Sequence, residues 1–219
     1  MCKRRNRNEF TTSNIILCEG ADTTFFTIYY LEYLQNTEKD FEAFFAFDFL
    51  GNENLPNFLD EIKRYSNYDK VKSILILRDS ELSFNSSVQS VKSALSKNGY
   101  PVPSSTNEIA EDENISVAFS LFPSLSKIEK SGTLEDLIIN NLTEIDVEPV
   151  LNDVDGFLTG LQENNRRLTW LHKSRLYTYF SVTDNYITLK LGEATKAGAF
   201  NFECEEMKSL KELLIAIRQ

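Results

Sequence analysis

Three short stretches carry acids at the ends of apolar runs. In NIILCEGADTTFF, residues 14–26, Glu19 follows the run Ile15–Cys18 and Asp22 stands three positions later. In VKSILILRDSE, residues 71–81, Asp79 and Glu81 close the clearest strand of the chain. In KSGTLEDLI, residues 130–138, Glu135 and Asp136 fall where a helix should begin. Carboxylates grouped in one place repel one another unless a cation intervenes or one of them keeps its proton. Hard oxygen donors of this kind suit Mg²⁺ or Mn²⁺, which retain waters for work on phosphates. Plainer roles compete with this one. Asp22 can cap the helix that follows while Glu19 faces water, and Glu135 and Asp136 can be first-turn acids favoured by the helix dipole.

The elements that would position these acids alternate. NIILCEG reads as a buried strand and DTTFFTIYYLEYLQ spaces its apolar residues as a helix does. FEAFFAFDFLG is a second strand, ended by Gly51. ENLPNFLDEIKRYS follows as a helix with Leu55, Phe58, Leu59 and Ile62 on one face. After the strand that ends at Asp79, SSVQSVKSALSKNG is a helix stopped by Gly99, and ISVAFSLFP is a fourth strand ended by Pro123. EDEN, residues 111–114, reads as an exposed loop. Strand–helix units repeated in this way predict an α/β protein with a mostly parallel four-stranded sheet flanked by helices. Ligands bind such sheets beyond the carboxyl ends of the strands. Glu19 and Asp79 would then share one edge, and the Asp79-x-Glu81 alternation would point both side chains the same way.

From about residue 132 the pattern becomes helical, through TLEDLIINNL, VEPVLNDVDGFLTGLQE, RRLTWLHKSRLYTYFSV and EEMKSLKELLIAIRQ. We therefore expect an α/β core over 1–130 and a helical extension over 131–219 that packs on it as part of one unit. Within the third of these helices Lys173 and Arg166 are seven apart, about two turns, and would lie near one face.

Bulk properties narrow the class. No stretch reaches the roughly 18 apolar residues of a membrane span, and the basic start MCKRRNR lacks the apolar segment of a signal peptide. Three cysteines without metal spacing argue against a disulfide framework and for a reducing cytoplasm. A formal net charge of −10 taken alone argues against nucleic acid as a partner. Acids gathered around a metal ion soften that argument. So do two local basic clusters, CKRRNR and, at 164–175, NNRRLTWLHKSR, which read equally as a solvated tail and a solvated helix face.

The three acidic segments resemble, in order and placement, the motifs of Toprim domains, which topoisomerases, bacterial primases and the overcoming-lysogenization-defect nucleases share. Most of the chain is similar to small standalone Toprim-like bacterial proteins in which a GTLEDL segment follows the sheet. The resemblance implies that Glu19 is the first-strand glutamate and that Asp79 and Glu81 are the DxD pair, with Glu81 replacing the second Asp. It matches Ser131 and Glu135 to the nuclease branch's Ser-x-x-x-Glu element and Lys173 to its later lysine. It thus implies a nuclease with Mg²⁺ or Mn²⁺ held by Glu19, Asp79 and Glu81, while Asp22, Glu135 and Asp136 complete a second site or orient waters. Glu19, Asp79 and Lys173 would be catalytic, and Ser131, Arg166 and Arg175 would contact a nucleic-acid substrate. The nuclease branch commonly joins a Toprim domain to an ATPase. This chain has no GxxxxGK[ST] loop, so an ATPase partner is expected, and a homo-oligomer is left open.

Other chemistries find less support. A phosphoryl-accepting Asp79 of the dehalogenase type would want DxDxT, whereas the chain runs DSELS. His172, the single histidine, reads as a packed helix residue. A Toprim-like binding or regulatory subunit with a weakened site is the second reading. The net charge and Glu81 favour it, and the acids retained in three segments oppose it.

Overall fold

The computed structural model describes residues 9–39 and 41–218, so the basic cluster CKRRNR lies outside the described residues. The chain runs β1 (Asn14–Cys18), α1 (Gly20–Thr37), β2 (Phe44–Asp48), α2 (Leu55–Glu61), β3 (Ser73–Asp79) and α3 (Phe84–Lys97). A short β4 (Ile109–Glu111) and β5 (Ser116–Phe122) complete the sheet. Then come α4 (Leu134–Asn140), α5 (Val147–Glu163), α6 (Leu171–Ser181), α7 (Leu191–Lys196) and α8 (Glu205–Ala216).

The sheet has five strands in the order β2-β1-β3-β5-β4. The four expected strands pair in parallel, and β4 adds an antiparallel edge against β5. A four-stranded sheet was expected, and the difference is β4. Its three residues are partly exposed and end on Glu111, the first residue of the segment read as a loop. So short a polar piece has no apolar alternation to betray it.

Strand alternation divides the interior in two. Ile16, Cys18, Leu75, Leu77, Ala118 and Phe122 face one cluster with α1 and α4 to α8. Ile15, Leu17, Ile74, Ile76, Val117 and Phe119 face the other, with α2 and α3. The C-terminal helices therefore belong to the same core as the sheet. One long-range tie is polar: the Tyr30 hydroxyl of α1 donates to the Met207 carbonyl of α8 at 2.7 Å, across 177 residues of sequence. Among the described residues no helix is long and apolar enough to cross a membrane.

Candidate active site

Parallel pairing brings the ends of β1 and β3 side by side, with Cys18 opposite Leu77. Glu19 keeps extended backbone (φ −79°, ψ 95°) as the N-cap of α1, so alternation carries its side chain to the α2/α3 face. There it meets Arg78, whose Nε lies 3.3 Å from Glu19 Oε2. Arg78 is 2% exposed, and its Nη1 donates to Ser90 Oγ of α3 at 3.3 Å. Glu19 Oε2 is buried without a hydrogen-bond partner, so its contact with Arg78 is one of charge alone. Burial raises the Glu19 pKa; Arg78 opposes this and Glu81 adds to it. Asp22 does not cap α1. It sits in the first turn, without a capping hydrogen bond.

Asp79 points to the opposite face. Its Oδ1 accepts a hydrogen bond from the Leu134 N–H, at the start of α4, at 2.9 Å. Burial, then the charges of Glu135 and Glu19, push its carboxyl well above the usual carboxylate range. Glu135 is itself 2% exposed. Lys173 of α6 reaches both flanks of this pocket, with Nζ 3.4 Å from Glu135 Oε1 and 3.6 Å from Asp22 Oδ2. Burial alone would lower the Lys173 pKa, but Glu135 and Asp22 outweigh it and raise it. Lys173 is thus a lasting cation, unsuited to act as a general base at neutral pH.

Glu81 arrives by a different route from the one its spacing suggests. β3 ends at Asp79 and Glu81 adopts left-handed backbone (φ 54°), so strand alternation does not orient it. It is held instead by a two-bond bridge to Gly132, Glu81 N–H to Gly132 O and Gly132 N–H to Glu81 O, each 2.9 Å. Gly132 has a φ of 142°, and a Cβ there would come within 2.7 Å of Asp136 Oδ2 and 3.2 Å of Pro123. Only glycine fits that crossing. Glu81 still lies near enough to raise the pKa of both Glu19 and Asp79.

The remaining residues have other partners. Asp136 closes the capping box of α4, its Oδ2 accepting from the Thr133 N–H at 2.9 Å and from the Thr133 hydroxyl at 3.2 Å. The two adjacent acids thus divide the roles proposed for them, Asp136 as cap and Glu135 as a member of the cluster. Ser131 Oγ accepts from the Phe84 N–H at 3.2 Å and so anchors the start of α3. Arg175 binds Asp155 of α5 through two bonds of 2.6 and 2.7 Å. Arg166 is not on the face of Lys173: α6 begins at Leu171, and Arg166 lies in the preceding loop. Trp170, at φ −120° and ψ 67°, is the N-cap, so the helical path does not reach back to Arg166.

Two contributors lay outside the expected set. Arg78 interrupts the apolar run of ILILRDSE, and a cation inside a buried strand beside an acid is a legible sign of pairing. Asp48, the acid within FAFDF at the end of β2, accepts from the Gly20 N–H at 3.0 Å and the Leu50 N–H at 2.7 Å. It fixes the turn from which Glu19 projects.

The donors suit a hard divalent ion. Glu19, Asp22, Asp79, Glu81 and Glu135 are all carboxylates, and Glu19 offers a buried oxygen that accepts no hydrogen bond. Among the described residues, however, no three His, Cys, Asp or Glu side chains converge in a ready-made metal cage. Arg78 and Lys173 stand among the acids instead.

No curated protein and no solved structure matches the chain. Residues 13–219 match the family described as "Protein of unknown function (DUF3226)", and the chain belongs to that family.

Proposed function

We propose that this protein is a Toprim-type, metal-dependent phosphodiesterase that cleaves nucleic acid. The observation that carries the reading is the meeting of Lys173 with Asp22 and Glu135 at the sheet edge where Asp79 ends β3. Folding stability alone gives little reason to crowd Asp79 and Glu135 together, because buried like charges oppose folding. Functional sites often hold such groups.

In this reading Glu19, Asp79, Glu81 and Glu135 would hold Mg²⁺ or Mn²⁺, and Asp22 would stand at the rim of the site. A bound ion of this kind polarises a phosphoryl oxygen and makes a bound water more acidic. Lys173, fixed by Glu135 and permanently charged, meets the negative charge that grows on the phosphate, as a preorganised cation does. Arg78 acts through Glu19, aiming its carboxylate and opposing the protonation that burial favours. Any ATP-driven step would fall to a partner ATPase, and antiviral defence or nucleic-acid processing is the setting this pairing suggests. Co-purification of an ATPase with the tagged protein would support that pairing.

The second reading is a binding or regulatory subunit. It draws on one observation: two cations already stand among the carboxylates. Incubation of the purified protein with plasmid, single-stranded DNA and RNA, in Mg²⁺ or Mn²⁺, separates the two readings. Cleavage abolished in both Glu19→Gln and Asp79→Asn supports the enzyme. Metal binding by calorimetry without cleavage of any substrate supports the subunit.

A further inference from the structure

The loop between α5 and α6, with the first turn of α6, has a composition unlike the rest of the chain. From Asn164 to Arg175 it reads NNRRLTWLHKSR, four cations and no acid in a protein of net charge −10. Arg175 is engaged by Asp155 and Lys173 by the acids. Arg166 and Arg167 are exposed and form no ion pair among the described residues. Trp170, the N-cap of α6, is 59% exposed. Its ring meets His172 edge-on, with centroids 6.2 Å apart, so its faces are not stacked on that neighbour.

The placement adds to the composition. Trp170 stands three residues before Lys173, at the N-cap of α6. On α1, Phe25 follows Asp22 by the same three residues and is 53% exposed. Each member of the Lys173–Asp22 pair therefore has an exposed aromatic residue three positions away in sequence. Isolated exposed apolar residues are ordinary. An exposed indole beside two unpaired guanidinium groups is the combination that grips single strands, with bases stacking on rings and phosphates pairing with arginine.

We propose that this loop is a single-strand platform: bases stack on Trp170, with Phe25 as a second ring, and Arg166 and Arg167 bind the flanking phosphates. The substrate of the carboxylate site would then be single-stranded nucleic acid or the unpaired part of a duplex. Duplex bases, stacked on one another, offer no face to the indole. The feed into the carboxylate site rests on the nuclease reading; the platform itself does not.

Trp170 is the chain's single tryptophan, so fluorescence excited beyond the absorption of the nine tyrosines reports this loop alone. The test titrates the full-length protein with oligo(dT), oligo(U) and a blunt duplex of equal length, in EDTA so that no cleavage intervenes. Quenching by single strands, and much less by duplex, is expected, and the two single-strand arms distinguish DNA from RNA. Binding of labelled oligo(dT) should weaken about 5- to 100-fold in Trp170→Ala and be largely kept in Trp170→Phe. Arg166→Ala with Arg167→Ala should lower the slope of log affinity against log salt by roughly 1.4. Fluorescence unmoved by either single strand overturns the platform, as does Trp170→Ala binding like the wild type. Cleavage with silent fluorescence would sink the platform and leave the nuclease standing; quenching without cleavage in metal would do the reverse.

Discussion

At the carboxyl edge of the sheet the two faces handle charge differently. On the α2/α3 side a single carboxylate, Glu19, leans on a single buried guanidinium, Arg78. On the α1/α4/α6 side Asp79, Glu135 and Asp22 have one cation, Lys173, within reach. The first side resembles an ordinary buried ion pair, whose removal from water is offset by its partner. The second sets three carboxyl groups against one cation among the described residues. Such a surplus lowers stability, and a ligand carrying positive charge would relieve it. The asymmetry puts the larger excess of carboxyl groups on the Asp79 side, while Arg78 opposes the rise that burial imposes on Glu19.

The sharpest way to break this contrast is to unpair the balanced side. Arg78→Ala should destabilise the fold by about 3–5 kcal/mol, because it leaves a buried charge alone. Urea denaturation would measure this, and Arg78→Met combined with Glu19→Gln should recover most of the loss. A near-neutral Arg78→Ala would show that the pair is not what holds Glu19. The next effect comes from filling the unbalanced side. Mg²⁺ or Mn²⁺ at a hundred times its dissociation constant should stabilise the protein by about 2.7 kcal/mol. Thermal unfolding with and without metal reads this directly, and Asp79→Asn should erase the difference.

A smaller effect follows from the titration of Asp79. Its carboxyl pKa is raised in the folded protein, so the folded state holds a proton that the unfolded state has already lost. The contribution of Asp79 to stability without metal is therefore greatest at acidic pH, near and below the unfolded value of about 4. It falls as pH rises through the window up to the folded value, and is flat above it. Glu19, also raised, contributes with the same sign. In EDTA at neutral pH, Asp79→Asn should be more stable than the wild type, with a shallower slope between mildly acidic and neutral pH. A wild-type stability that rises across this window would contradict the crowding. The smallest effect separates neighbours on one turn. Asp136→Ala should cost about 1 kcal/mol as a lost cap, seen in the denaturation midpoint. Glu135→Gln should leave the α4 cap intact and return the Lys173 pKa toward its ordinary value, measurable by NMR of the labelled lysine.

How far the sequence foretold this edge depends on the kind of signal. Glu19 and Asp79 were legible because each ends a strongly apolar run, and a parallel sheet must bring such ends together. Lys173 fell beside the acids, but the helix face drawn for it with Arg166 did not form. Periodicity began that helix at Arg166, whereas it starts only at Leu171, after the non-helical backbone of Trp170 (φ −120°, ψ 67°). Glu81 was drawn into the cluster by alternation, whereas its position comes from the bridge to Gly132, a contact between distant segments that no local pattern encodes. The same limit hid the division of labour between Glu135 and Asp136: both are first-turn acids in sequence, and only the register of Thr133 makes one of them the cap. Arg78 was in plain view as a paired charge inside a strand, but which acid pairs with it depends on β1 lying beside β3, an order that no local pattern encodes.

The tie between Tyr30 and Met207 has a consequence for the order of assembly. The helix that presents Asp22 is secured by α8, and the lysine that faces Asp22 comes from α6. During synthesis the sheet strands leave the ribosome first, while these contacts wait for segments far downstream. Contacts of such long sequence separation form late, because the intervening chain must close before they repay the closure. A nascent chain that has made β1 to β5 thus carries Glu19 and Asp79 without Glu135 or Lys173, and the carboxylate edge is complete only once the C-terminal helices have docked.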